Sequence, residues 1–311
     1  MPSVLSAAHF HNEEAAYAFV EAWLWSTGRV CPHCGIVDQS GPLKGKSTRI
    51  GVYKCYACRK PFTIKVGTVF ESSHIKLHVW LQAIHLMASS KKGFSTNQFA
   101  RILGVTIQTA WFLSHRIREA MIDIAPQGPL GGEGKFVEAD ETFIGGRARN
   151  RAYREPAPKK AVVALVERRG RVRSRHVPEV NAANLRPILE AGIDKASHLR
   201  TDESGVYWKI GEAFASHQTV VHSADEYVRG DAHTNTAESF FSVLKRGIYG
   251  VYQHVSEEHL HRYLAEFDFR HNNRIALGVD DTDRAGNILS GVKGKRLTYR
   301  TTRRQVSAQN D

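Results

Sequence analysis

The stretch Lys135-Phe136-Val137-Glu138-Ala139-Asp140-Glu141-Thr142-Phe143 decides how this chain is read. Its β-branched and aromatic residues predict a strand, and three acids fall inside it. Side chains alternate across a strand, so Asp140 alternates with Ala139 and Glu141. Downstream, Lys160 to Val166 and Arg171 to Val177 read as two more strands joined by a tight turn, a hairpin. A helix is expected over Ala182 to Ala191, a strand over Ser197 to Thr201, a helix over Val206 to Ala215 and a fifth strand over Thr219 to His222. Two helices follow, at about Asn235 to Arg246 and Ser256 to Asn272, the second amphipathic.

That order of elements is the one expected of an α/β, ribonuclease-H-like fold, a mixed sheet with helices packed on it. In such a sheet the first and fourth strands are neighbours, so Asp140 and Asp202 can converge, and the later helix can supply Glu238. Three carboxylates are what two Mg²⁺ (or Mn²⁺) ions need for two-metal phosphoryl transfer, since hard cations choose oxygen ligands and keep open positions for water and phosphate. Each acid also has a plainer reading. Asp202 precedes a helix and could be its N-cap. Asn235 and Glu238 have capping-box spacing. Asp140 could be a solvated strand residue, with Glu138 or Glu141 equally eligible.

Upstream of the strand the signals change. Pro126 to Gly134 is rich in Gly and Pro and reads as a linker. Before it, Ser95 can cap a short helix through Leu103, Gly104 can end it, and Thr106 can cap a second helix to about Ile122. This is the layout of a helix-turn-helix, which would present Gln108 and Thr109 to base edges. His115, Arg116 and Arg118 could reach phosphates or be solvated, and an ordinary helical hairpin shares the pattern. Further upstream, Trp80, Ile84 and Met87 share one helical face, and a helix is expected over Asn12 to Trp25.

All four cysteines lie between these helices, as Cys31-Pro-His-Cys34 and Cys55-Tyr-Ala-Cys58. Two such knuckles suit a closed tetrahedral Zn²⁺ site in a zinc ribbon, structural rather than catalytic. His33 could replace a cysteine, but a complete quartet makes that unnecessary. The segment Val52 to Val69 looks strand-rich, and Lys54, Arg59, Lys60 and Lys65 would give the ribbon a DNA-contacting surface. The resulting organisation is 1–70 helix and ribbon, 71–125 helix-turn-helix region, 126–134 linker, 135–278 ribonuclease-H-like domain and 279–311 a basic, partly disordered tail.

Of the 311 residues, 43 are Lys or Arg and 31 Asp or Glu, a net charge of +12. That excess favours a polyanionic partner, although a merely soluble basic surface would show it too. The longest apolar runs are strand-sized, far below the roughly 20 residues of a membrane span. Met1 to Ser6 shows no secretory signal, so a cytoplasmic protein is expected.

At this point the sequence resembles the DDE transposases of bacterial insertion sequences, in the ISXO-like branch with an N-terminal zinc ribbon. The resemblance rests on Cys31-Pro-His-Cys34, Val137 to Gly146, Arg200-Thr-Asp202-Glu-Ser, His233 to Gly247 and His259 to Asn272. It implies Asp140 and Asp202 as the first two metal ligands, Glu238 as the third with Asn235 as the alternative, and Lys245 gripping a phosphate. It further implies cleavage of element ends, transfer of the 3′-hydroxyl into target DNA, and a homodimer or larger assembly on paired terminal inverted repeats.

Overall fold

The computed structural model describes residues 3–122, 128–145, 158–220, 228 and 231–298. The chain divides into two compact units: Met1–Ser90 with Ser95–Ile122 and Asp281–Asp311, and Lys91–Phe94 with Asp123–Asp280.

In the first unit, helix α1 (Glu13–Leu24) starts at Asn12, whose side chain accepts the Ala15 N–H and so satisfies one of the orphan donors of the first turn. It buries Ala16, Val20 and Leu24. Strands β1 (Ser40–Pro42), β2 (Tyr53–Cys55) and β3 (Pro61–Phe62) form a small antiparallel sheet in that order. The strand-rich expectation for 52–69 thus holds for two short strands only; most of the remainder folds as turns, such as the one closed by Gly67 N–H to Glu71 at 2.8 Å. Helix α2 (Leu77–Ser89) buries Leu77, Trp80, Ile84 and Met87. Its own N-cap, Lys76, offers no acceptor, and the Glu13 carboxylate takes the Leu77 and His78 N–H groups instead, at 2.8 and 3.1 Å. Helix α3 (Thr96–Leu103) is capped by Ser95 and ends at Gly104 in the left-handed region (φ +65°), which glycine adopts at no steric cost. Helix α4 (Ile107–Met121) is capped by Thr106, as expected.

The second unit carries one five-stranded sheet. Its elements are β4 (Phe136–Ile144), β5 (Lys160–Glu167), β6 (Val172–Val177), helix α5 (Ala182–Gly192), β7 (His198–Thr201), a 3-10 turn at Gly205–Tyr207 leading into the short helix α6 (Trp208–Gly211), β8 (Ser216–Thr219), α7 (Asn235–Gly247) and α8 (Glu257–Asn272). The sheet order is β6-β5-β4-β7-β8, with β5 antiparallel to both neighbours and β4, β7 and β8 mutually parallel. This mixed topology is ribonuclease-H-like. One face of the sheet packs Val162, Ala164 and Val166 against Phe240, Leu244 and Leu264 of α7 and α8. The other packs Val137, Ala139 and Leu165 against Leu185 and Leu189 of α5 and Tyr207. Residues 138, 140 and 142 therefore point toward α7, because they alternate with 137 and 139.

The outer edge of β6 is closed by side chains of α8. Asn272 accepts the Val172 N–H at 2.7 Å and donates to the Val172 carbonyl at 3.0 Å. Asp268 accepts both the N–H and the hydroxyl of Ser174, at 2.8 and 2.7 Å. Backbone groups that would otherwise template pairing with another chain are thus occupied.

Four expectations change. The helix expected over Val206 to Ala215 is a 3-10 turn followed by the four-residue helix Trp208–Gly211. The fifth strand lies at Ser216–Thr219, not 219–222: a polar edge strand sets its register by pairing with His198–Thr201, whereas the apolar Val220 that drew the reading is buried beyond it. Residues 221 and 222 lie outside the described residues. Within 128–134, the part of the linker described, Leu130 is fully buried and bonded to Gly192 and Asp194. The expected tail contains helix α9 (Asp281–Ser290), which packs on α2 and buries Ile288 and Leu289 in the first unit. Beyond it, Lys293 donates to the carbonyl of Leu24 at the end of α1, and Lys295 to those of Ala120 and Ile122 at the end of α4. Cations there meet the unsatisfied carbonyls of a helix C-terminus. Residues 299–311, including Arg300, Arg303 and Arg304, lie outside the described residues.

Candidate active site

The acids of the sheet part company once folded. Glu138 is fully buried and faces α7. Its Oε1 accepts from Arg168 Nε at 2.6 Å and the Thr236 hydroxyl at 3.0 Å, and its Oε2 from the N–H groups of Thr236 and Ala237 at 2.8 and 3.0 Å. Glu141 alternates to the opposite side, where the buried Tyr207 hydroxyl donates to it. Asp140 lies between, with its Oδ1 accepting the Glu141 N–H at 2.7 Å.

Asp140 opens into a pocket of about 460 Å³ that Glu238, Lys245 and Arg246 of α7 also line. Glu238 and Lys245 are seven residues apart, two turns along one helical face. Asn235, the alternative ligand, is exposed on the first turn of α7 and does not line this pocket. The capping-box reading of Asn235 and Glu238 also gives way, because Thr234 is the N-cap and its hydroxyl donates to Glu238 at 3.3 Å. Burial pushes the Asp140 carboxyl up to about 7, and the negative charges of Glu141, Asp202 and Glu238 add to the rise. Asp202 follows β7, beside β4 in the sheet, and accepts the Ser204 N–H at 3.1 Å. Asp202 and Glu238 are thus near enough for their charges to act on Asp140, and Glu238 shares its pocket.

The four cysteines also come together. Their sulfurs all lie within 4.8 Å of one another, with Cys31–Cys58 and Cys34–Cys55 at 3.7 Å. A tetrahedral zinc with Zn–S of about 2.3 Å requires sulfurs about 3.8 Å apart, so the quartet fits the ion. Lys54, Arg59 and Lys60 are exposed around it, whereas Lys65 is half-buried and donates to the Ile75 carbonyl.

The helix-turn-helix residues divide. Gln108 is exposed near the start of α4, and Thr109 is half-buried with its N–H bonded to Thr106. Arg116 and Arg118, read as DNA contacts, are 5 % and 2 % exposed and face inward. Arg116 donates to the carbonyls of Leu297 (3.1 Å) and Glu71 (2.8 Å), and Arg118 to the Ser114 hydroxyl (3.0 Å). Arg116 is thus taken up by Glu71 and by Leu297 of the returning C-terminal segment, which sequence periodicity does not register, while Gln108 stays exposed.

Sequence reading weighed Glu138 only as an alternative to Asp140 and missed Arg168 and Tyr207 as partners in the site. A usable signal existed for Glu138, since an acid two residues from Asp140 shares its face of the strand, where a charge must be paired.

Known proteins match the chain in both halves. Residues 129–272 match the ISXO2-like transposase domain, and residues 11–61 the transposase zinc-ribbon domain. A protein in transposable element ISH50 of Halobacterium salinarum is 28 % identical over 279 residues, covering 84 % of this chain and 91 % of that protein. Among solved structures, a chain of the simian T-cell lymphotropic virus intasome in complex with PP2A regulatory subunit B56 gamma aligns at 16 % identity and TM-score 0.29, over 53 % of this chain and 61 % of that one. A chain of a pre-cleavage Mos1 transpososome aligns at 14 % identity and TM-score 0.28, over 67 % of this chain and 73 % of that one. With its zinc-ribbon cysteines assembled and its mixed sheet in ribonuclease-H-like order, the chain carries an ISXO2-like transposase domain behind a transposase zinc-ribbon domain.

Proposed function

We propose that this transposase cuts the phosphodiester at the ends of a mobile element and joins the freed 3′-hydroxyl to target DNA, acting in the cytoplasm as a dimer or larger assembly on paired ends. The observation that carries the reading is the pocket shared by Asp140 and Glu238, with Asp202 at the end of the neighbouring strand β7, its charge acting on Asp140. Such a donor set fits a hard divalent cation, because carboxylates that repel one another when ionised are relieved by a positive charge between them. Asp140, Asp202 and Glu238 would hold Mg²⁺ or Mn²⁺. When bound, the metal supplies charge neutralisation at the attacking and leaving oxygens.

The chain's own residues do the rest. Lys245, on the pocket wall, pairs with a phosphate oxygen and holds the strand in place. Glu238 is favoured over Asn235 as third ligand because its carboxylate lines the pocket. Gln108 and Thr109 read the terminal repeat, and the exposed Lys54, Arg59 and Lys60 of the ribbon hold backbone phosphates. The test is Asp140→Asn on a labelled element-end duplex. Cleavage and joining should vanish while end binding persists; retained cleavage would sink the assignment. Cleavage by the wild type without joining would leave a nuclease in its place.

A further inference from the structure

We infer that Glu138 is a positioning residue that fixes the spacing between Asp140 and Glu238. The inference rests on the reading of those two acids as metal ligands. Asp140 belongs to β4 and Glu238 to the first turn of α7, so nothing within either element sets the distance between them. Glu138 supplies the missing tie. It sits two residues before Asp140 on the same face of β4, and its carboxylate takes the Thr236 and Ala237 N–H groups at the N-terminus of α7. The side chain of the N-cap residue Thr234 accepts no N–H of α7, so this carboxylate from the sheet does that work.

The carboxylate is itself held. Arg168, in the turn after β5, donates Nε to Glu138 and another guanidinium N–H to the carbonyl of His233, at 2.6 and 2.9 Å. His233 Nδ1 lies 3.2 Å from the same Glu138 oxygen. The strand, the hairpin turn and the segment entering α7 therefore meet on one fully buried side chain. Four donors satisfy the four acceptor positions of the carboxylate, which leaves it no capacity to bind a cation. Its contribution is to aim Glu238, as groups behind metal ligands commonly do, and loss of such a group costs about 10–100-fold in metal affinity.

Reach and charge make different demands, and the side chains that separate them are Gln and Asp. Glu138→Gln keeps the length and one carbonyl oxygen for the two α7 N–H groups but loses the charge. Glu138→Asp keeps the charge but is one methylene too short. The measurement is Mn²⁺ binding by electron paramagnetic resonance on the full zinc-loaded chain, with thermal melting alongside and Asp140→Asn as the reference for loss of the site. The expected result is weakening of about 10–100-fold in Glu138→Ala and nearly as much in Glu138→Asp, with Glu138→Gln, whose NH2 meets the Arg168 Nε–H, weakened less than either. Wild-type Mn²⁺ binding in Glu138→Asp with weak binding in Glu138→Gln would overturn the inference, because charge and not reach would then matter. So would variants that melt earlier yet bind Mn²⁺ as the wild type does. If Asp140→Asn itself binds Mn²⁺ normally, the metal-site reading fails first, and the two failures are told apart. Should Glu138→Ala not fold, the Gln and Asp pair still decides.

Discussion

Replacing Arg116 by Ala separates a DNA-contacting helix from an internal one. The side chain is 5 % exposed, spans from α4 to two backbone carbonyls, and lies with its guanidinium 5.0 Å from the Phe112 ring centroid. Truncation leaves the carbonyls of Glu71 and Leu297 without their charged donor, at about 1–3 kcal/mol each when water cannot replace it. Partial rehydration at the pocket bordered by Ser72, Phe112 and Arg116 offsets part of this. The net expectation is a loss of about 2–4 kcal/mol, or roughly 5–15 °C in melting temperature for a unit of this size. DNA affinity, measured on folded protein at several salt concentrations, should keep its salt slope. Each phosphate contact contributes about −0.9 to that slope on duplex DNA, so loss of one is detectable. An Arg116→Ala protein that melts like the wild type but has a slope shallower by about one would refute the internal role.

Two more expectations concern metal and pH. The chain should carry one zinc per molecule, lost in Cys55→Ser together with protection of residues 31–58 from protease, because structural zinc is worth about 10 kcal/mol or more to so small a fold. Full zinc content in that variant would exclude the four-thiolate site. Burial pushes the Asp268 carboxyl up to about 7, against the two hydrogen bonds from Ser174 that pull it down. The unfolded chain ionises there near pH 4, so the folded state binds more protons between about pH 4 and 7. That contribution to stability is full below the lower value and lost as pH rises through the upper one. Denaturant titrations of Asp268→Asn should therefore show a flatter profile across this window than the wild type. Parallel profiles would contradict the shift.

Much of the architecture was legible because its signals are local. Asn12, Ser95 and Thr106 mark helix starts by accepting an N–H two or three residues on, and Gly104 marks an end by its left-handed φ. The cysteine spacing forecast the quartet for the same reason: each knuckle is a four-residue device that folds on itself. Strand order followed from element order, since few topologies connect such a series without crossing.

What lay beyond reach was every property that depends on a distant segment. Glu138, Asp140 and Glu141 are equivalent acids in one strand until α7 takes up Glu138 and the Tyr207 hydroxyl bonds Glu141, which lines the pocket beside Asp140. Arg116 carries the pattern of a basic recognition helix until Leu297 and Glu71 enclose it. Residues 281–298 look like a polar tail until α9 finds α2, and Lys293 and Lys295 reach carbonyls more than a hundred positions away. By itself the sequence determined the capped helix starts, the central strands of the sheet and where four thiols gather, because those outcomes rest on neighbours along the chain. Only the tertiary structure decided which charges are buried and paired, because burial is set by whatever else the folded chain brings to the same point in space.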